Sequence, residues 1–215
     1  MTVKAPESAI TPLPRPGDSG QPGSGAKQRI LETANRLFYA QGIHSVGVDK
    51  LISESSVTKA TFYKHYGAKD KLIIEYLNTR HRAVEEFLDT AAQTSSADDV
   101  IRALIDQISV DIHQSDFRGC PFINAAAEFA DPRHPVRGVV EAHRDWYTER
   151  LTSLLRECGH PMPGDAADDL LLARDGAMTG GYAGDPVSTT AALARVVEHI
   201  LTDAHLSRDT EPASA

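Results

Sequence analysis

Along nearly the whole chain apolar residues recur every three to four positions, and no segment alternates apolar with polar as a half-buried strand does. From Lys27, the residues Ile30, Ala34, Leu37 and Phe38 share one helical face. Gly42 ends that helix at a position where glycine closes a C-terminus at low cost. A short apolar helix follows around Val48, Leu51 and Ile52. "SSVTKATFY" then supplies a turn and a second short helix, with Thr58 placed to cap the free N–H groups of its first turn. After Gly67 a longer helix is predicted from about Ala68 to about Ala92. Its stripe consists of Leu72, Ile73, Tyr76, Leu77, Val84, Phe87 and Leu88.

"TSSADD" breaks the pattern and can cap the next helix, whose apolar positions are Val100, Ile101, Leu104, Ile105, Ile108 and Ile112. "SDFRGC" ends it, and Pro121, suited to a first helical position, opens the short helix "PFINAAAEFA". A long helix carrying Val139, Val140, His143, Trp146, Tyr147, Leu151, Leu154 and Leu155 comes next. After the break "CGHPMPGD" two last helices are expected, at about 166–183 and 188–206. The fold class is therefore all-α with about nine helices: three short ones, a long connector and five more.

Residues 1–25 contain five prolines and no apolar core. They are expected to be a disordered tail and not a secretory signal. No stretch approaches the roughly 18 unbroken apolar residues of a membrane span, so no membrane partner is expected. The two cysteines, Cys120 and Cys158, lack metal-type spacing and fit a reducing cytoplasm. The histidines form no HxxxH pair, and no glycine-rich phosphate loop follows a strand. Neither a metal nor a cofactor is expected.

The net charge of −8 conceals a partition. Residues 26–82 hold ten Lys/Arg against five Asp/Glu, whereas residues 83–215 hold ten against 23. One end is basic and the other strongly acidic, a pattern that hints at a nucleic-acid-facing module joined to something else.

The first three helices have the proportions of a helix-turn-helix unit behind a support helix. In this setting "TKATFYKHYGAKDKL" makes chemical sense. Its lysines supply salt-dependent phosphate attraction, and Thr58, Thr61 and Tyr63 carry hydroxyls for phosphate or base contact. Lys69 stands at a helix start, where the dipole favours an anion. A basic, solvated helical hairpin would show the same composition.

The stretch "ILETANRLFYAQGIHSVGVDKLISESSVTKATFYKHYGAKDKL" resembles the DNA-binding region of the tetracycline-repressor (TetR) family of bacterial transcription regulators. The resemblance rests on "A…LF…G", "GVDKLISESSV" and "TKATFYKHYGAKDKL" in order. It departs from the family where Tyr66 replaces a usual phenylalanine and where "SESS" replaces a usual Ala-Gly pair before Val57. Tyr66 is expected to be a core ring with its hydroxyl at the edge. The resemblance implies a double-stranded DNA operator as partner, met by Lys27, Ser45, Lys50, Thr58, Lys59, Ala60, Thr61, Tyr63, Lys64, His65 and Lys69, with Tyr63 and Lys69 on phosphates. It implies a domain organisation of 26–70 for DNA binding and 71–208 for effector binding and dimerisation, with 209–215 a second tail.

The resemblance also implies a small-molecule effector in the larger domain and a homodimer through the last two helices. Leu193, Val196, Val197, Ile200, Leu201 and Ala204 form an apolar stripe, and Gly176, Ala177, Gly180 and Gly181 form a small-residue seam. Both suit a four-helix interface, and both equally suit intramolecular core. "RGCPFINAAAEFADPRHPVR" resembles a segment found in a subset of these regulators. Candidate cavity residues are Phe87, His113, Cys120, Phe122, Asn124, His143, Trp146, Tyr147 and Met178; the aromatics are also readable as plain core, Asn124 as a helix cap, and Cys120 as a redox sensor or an inert thiol. The expected function is a cytoplasmic, homodimeric repressor released from its operator by the effector. The alternatives are an all-α enzyme acting on a small metabolite around Asn124 and His143, and a helical adaptor.

Overall fold

The computed structural model describes residues 25–210. The expected tail 1–25 lies almost wholly outside the described residues, as does most of 209–215. Among the described residues the chain forms nine helices and no strand. α1 (Ala26–Gln41), α2 (Val48–Glu54) and α3 (Lys59–Tyr66) make the N-terminal head. α4 (Lys69–Ala92) leads into α5 (Ala97–Ile112), α6 (Pro121–Glu128), α7 (Pro135–Glu157), α8 (Pro163–Ala183) and α9 (Pro186–Thr210).

The helix ends follow local chemistry. Thr58 and Ser96 each accept the N–H three residues on, Thr61 and Asp99, so both capping expectations hold. Pro121, Pro135 and Pro163 each open a helix, where the missing N–H costs nothing. For that reason α8 begins at Pro163, three residues before the expected 166, and α9 begins at Pro186 instead of 188. At its far end α9 continues to Thr210, past the expected domain boundary at 208. Gly42 has φ +86 and ends α1 with its N–H on the Phe38 carbonyl.

The head closes over Ile30, Ala34, Leu37, Phe38, Leu51 and Phe62, all buried. Tyr66 joins that core with its hydroxyl donating to the Lys27 carbonyl at 3.1 Å, as expected of a ring with a polar edge. Burial pushes this phenol up to about 12. α7 lies at the centre of the larger domain, packed against α4, α5, α6 and α8, while α9 packs on α8 and α5.

The stripe on α9 lies differently from its assignment to a subunit interface. Leu193, Val197, Ile200, Leu201 and Ala204 are buried within the protomer, and only Val196 of the six is exposed. Part of the glycine seam is likewise internal: Gly181 backs onto Ile112 of α5 and Gly180 onto Thr189 of α9. A stripe at helical spacing has one buried face to offer, and here α8 and α5 take it.

Candidate nucleic-acid interface and effector cavity

α3 presents its polar face outward because Phe62 and Tyr66, one turn apart, are its buried anchors. Lys59, Ala60, Tyr63, Lys64 and His65 are exposed on the remaining surface, as is Thr58 at the cap. Tyr63 is 45 % exposed and sets its ring edge-on to Phe62. The hydroxyls of Thr58 and Thr61 bond each other at 2.8 Å, so this pair is ordered before any partner arrives. Lys27, Ser45 and Lys50 are also exposed, and Lys50 Nζ donates to Gln41 Oε1 at 2.7 Å.

Lys69 differs from the other lysines of the segment. Its ammonium donates to the Ile43 carbonyl at 2.6 Å and lies 5.8 Å from the Phe38 ring centre, half-buried. Burial lowers its pKa. In this geometry Lys69 ties the start of α4 to the α1–α2 loop.

The turn before α3 explains the departure at "SESS". Ser55 is buried and donates its hydroxyl to the Leu51 carbonyl at 2.6 Å, filling the place of a small side chain. Ser56 has φ +53, the single positive-φ non-glycine residue among those described. Serine thus occupies a left-handed backbone position that glycine adopts freely.

In the larger domain, α4, α5, α7, α8 and the loop before α6 enclose a cavity of about 110 Å³. Phe122, His143, Tyr147 and Met178 line it as expected. Phe87, Cys120 and Trp146 pack outside the lining. His113 is exposed at the end of α5, where its Nδ1 lies 2.8 Å from the Ser109 carbonyl. Asn124 donates to the Arg118 carbonyl at 2.7 Å and lines a separate cleft with Tyr39, Glu128 and Tyr182. Its amide is thus spent on bracing the loop before α6.

His143 is a strongly perturbed group of the wall. Its ring stacks on Phe122 with centroids 3.5 Å apart and planes 4° from parallel. Its Nδ1 meets Nδ1 of His81 at 3.0 Å, so one of these nitrogens must carry a proton and the other accept it. Burial, reinforced by the charges of Arg174, His81 and Arg144, pushes His143 down to about 3, and the ring is neutral at ordinary pH.

The lining also contains Tyr39, Arg80 and Arg174, which were not anticipated. For Arg174 a signal existed: it is a lone charge between Leu170 and Leu171 on one side and Ala177 and Met178 on the other, at helical spacing. Tyr39 gave none, since its role depends on a loop that begins more than seventy residues later. Its hydroxyl donates to the Gly119 carbonyl at 3.0 Å and accepts the Arg118 N–H at 2.9 Å. Burial pushes this phenol up to about 12. A second tie runs from α6, where Glu128 accepts the N–H groups of Ile43 at 2.8 Å and His44 at 2.6 Å. The head is therefore fastened to both ends of the segment that walls the cavity.

A helix-turn-helix head with a basic outer face, joined by one long helix to a larger helical domain with an apolar cavity, defines a DNA-binding transcriptional regulator. The family model described as "Bacterial regulatory proteins, tetR family" matches residues 30–76. The structure of SCO4454, a TetR-family transcriptional regulator from Streptomyces coelicolor, superposes with a TM-score of 0.79 at 42 % identity, covering 83 % of this chain and 95 % of that one. The chain belongs to the TetR family of transcriptional regulators. The HTH-type transcriptional regulator LmrA of Bacillus subtilis is 29 % identical over 59 % of this chain and 71 % of its own length. The uncharacterised HTH-type regulator YxaF of the same organism is also 29 % identical, over 56 % of this chain and 65 % of its own length. All three are described as transcriptional regulators, which favours the regulator over the metabolite-enzyme alternative. Among the described residues, no helix is long and apolar enough to cross a membrane.

Proposed function

We propose that this regulator is a cytoplasmic homodimeric repressor, released from its operator when a small molecule enters the cavity between α4, α5, α7 and α8. The observation that carries this reading is the double fastening of the head to the cavity wall, through Tyr39 to residues 118–119 and through Glu128 to residues 43–44. Pro121 and Phe122 of the same α6 line the cavity. A ligand that displaces α6 must therefore also move the α1–α2 loop. The connector α4 contributes Arg80, Ala83 and Val84 to the lining and carries Lys69 at its other end, giving a second route. The ligand shifts the balance between DNA-competent and incompetent forms only by its different affinity for the two.

Two copies are required because a pair of recognition helices must reach half-sites about 34–36 Å apart. The faces of α8 and α9 left exposed include Leu172 at 73 %, Val196 at 37 % and the uncrowded Gly176, and they suit a second copy better than the buried stripe. On DNA, Thr58, Lys59, Ala60, Thr61, Tyr63, Lys64 and His65 face the major groove and its phosphates, flanked by Lys27, Ser45 and Lys50. Lys69 contributes by holding the α1–α2 loop and by its charge near phosphate.

The test is binding of the purified chain to the DNA upstream of its own gene against random duplex, across a salt series. Specific binding that weakens steeply with salt is expected, and Lys64→Ala should reduce the log–log salt slope by about 0.9. Equal, salt-insensitive binding to both duplexes would refute the reading.

A further inference from the structure

Among the charged residues of the lining, Arg80, Arg174, Asp111 and Asp116, Arg174 is the one that is buried. Leu104, Ile108, Val84, Phe122 and Met178 supply apolar wall, and the neutral His143 adds no charge. Arg174 nevertheless reaches this lining while only 8 % exposed. Its Nη1 donates to Asp175 Oδ1 at 2.7 Å and lies 3.4 Å from Cys120 Sγ. Its Nε–H meets no acceptor among the described residues. The partner carboxylate is moreover shared, since Arg144 Nη1 donates to Asp175 Oδ2 at 2.6 Å. Two guanidiniums thus divide one carboxylate at the buried end. Of the two acids in the lining, Asp111 accepts from Gln107 at 2.9 Å and Asp116 is exposed.

Asp175 answers the charge of Arg174 through Nη1, but a buried N–H left without an acceptor, here the Nε–H, is costly. The hydroxyl-bearing Tyr147 also lines the cavity, its ring 5.2 Å from the Arg174 guanidinium carbon. Guanidinium and phenol together suit a carboxylate, which accepts from both. The parallel Phe122–His143 pair offers a flat aromatic wall, and the volume is of the order that holds one ring. We propose that the cavity takes a small aromatic carboxylate, or an organic monoanion of that shape, with its charge on Arg174 and Tyr147 and its ring against Phe122 and Met178. This assignment rests on the reading of the cavity as the effector site, and it names the effector's chemical class.

The test compares benzoate, benzamide and benzylammonium, three probes of one shape and three charges, by calorimetric titration of the full chain at neutral pH. Benzoate is expected to bind at least about tenfold more tightly than benzamide, in keeping with a charge-assisted hydrogen bond. Benzylammonium should be weakest. Arg174→Gln should shrink the benzoate preference to within about twofold, and Ala83→Trp, which adds bulk to the wall, should weaken benzoate at least about fivefold. Should Arg174→Gln not fold, the benzoate-to-benzamide ratio in the native chain decides by itself. Benzamide or benzylammonium binding as tightly as benzoate would overturn the anion assignment while leaving the cavity an effector site. Benzoate binding untouched by Ala83→Trp would place the anion elsewhere and overturn it as well. If none of the three binds, the cavity reading falls together with the assignment.

Discussion

Tyr39 of α1 and Gly119 before α6 are joined by a 3.0 Å hydrogen bond that spans 80 residues of sequence and the junction between head and body. The same hydroxyl accepts the Arg118 N–H, so one side-chain oxygen satisfies two backbone groups of the loop. The loop is further held by Asn124, which braces Arg118 from α6, by the Arg118 guanidinium on the Tyr182 hydroxyl, and by Phe117 packed against the core.

Tyr39→Phe keeps the ring and removes both bonds. It is expected to cost about 1 kcal/mol of stability in urea unfolding, because the carbonyl of the buried Gly119 loses its donor while the exposed Arg118 N–H can turn to water. If the bond also transmits the effector signal, the variant should bind operator nearly normally and release it at higher effector concentration. Unchanged stability with unchanged release would show that the bond is incidental.

Ser56→Gly should stabilise the head. Serine at φ +53 bears a left-handed penalty of about 1–2 kcal/mol, partly offset by the extra freedom that glycine gains in the unfolded chain. The net expectation is a gain of about 0.5–1 kcal/mol, read as a rise in the urea midpoint at constant slope. A loss would mean that the Ser56 side chain makes a stabilising contact outweighing the strain.

His143 sets a pH dependence whose sign follows from its depressed pKa. Above about 6.5 the ring is neutral both folded and unfolded, and it contributes no slope. Between about 6.5 and about 3 the unfolded chain binds a proton that the folded one refuses. Stability therefore falls as pH falls, by at most about 1.4 kcal/mol per pH unit from this group. His143→Gln should lose less stability than the native chain between pH 6.5 and 4.5. Parallel stability profiles for the two proteins would disprove a neutral, desolvated His143.

Gly181→Ala would place a Cβ 2.5 Å from Ile112 Cγ2, closer than packed carbon atoms approach. A loss of about 1–3 kcal/mol is expected from overpacking between α8 and α5. Combining it with Ile112→Ala should give a double variant less destabilised than the two single losses added together, a coupling readable in a double-mutant cycle. Strict additivity would mean that the helices part without strain.

Much of the head was legible because its information is local. The Thr58 cap, the Gly42 stop, the buried Tyr66 and the exposed basic face of α3 follow from residues within a turn or two of each other. The cavity was legible only in part. Phe122, His143, Tyr147 and Met178 were found as aromatic or large apolar residues on helices with a buried face, whereas Phe87 and Trp146 carried the same signal and pack elsewhere. Periodicity states that a side chain is turned inward; it does not state whether that interior is filled or hollow.

The sequence by itself determined nine helices, a basic head on an acidic body, and the helix-turn-helix that places the chain in its family, because hydrophobic period, caps and charge act over a few residues. Only the tertiary structure decided that α9's stripe is intramolecular core, that Lys69 holds the Ile43 carbonyl, and that Tyr39 and Glu128 fasten the head to the cavity wall. The three hydrogen-bonded ties join groups from 26 to 85 residues apart along the chain. A stripe or a hydroxyl accepts whichever partner packing brings to it, and that choice is made by the assembled core and not by the neighbours in sequence.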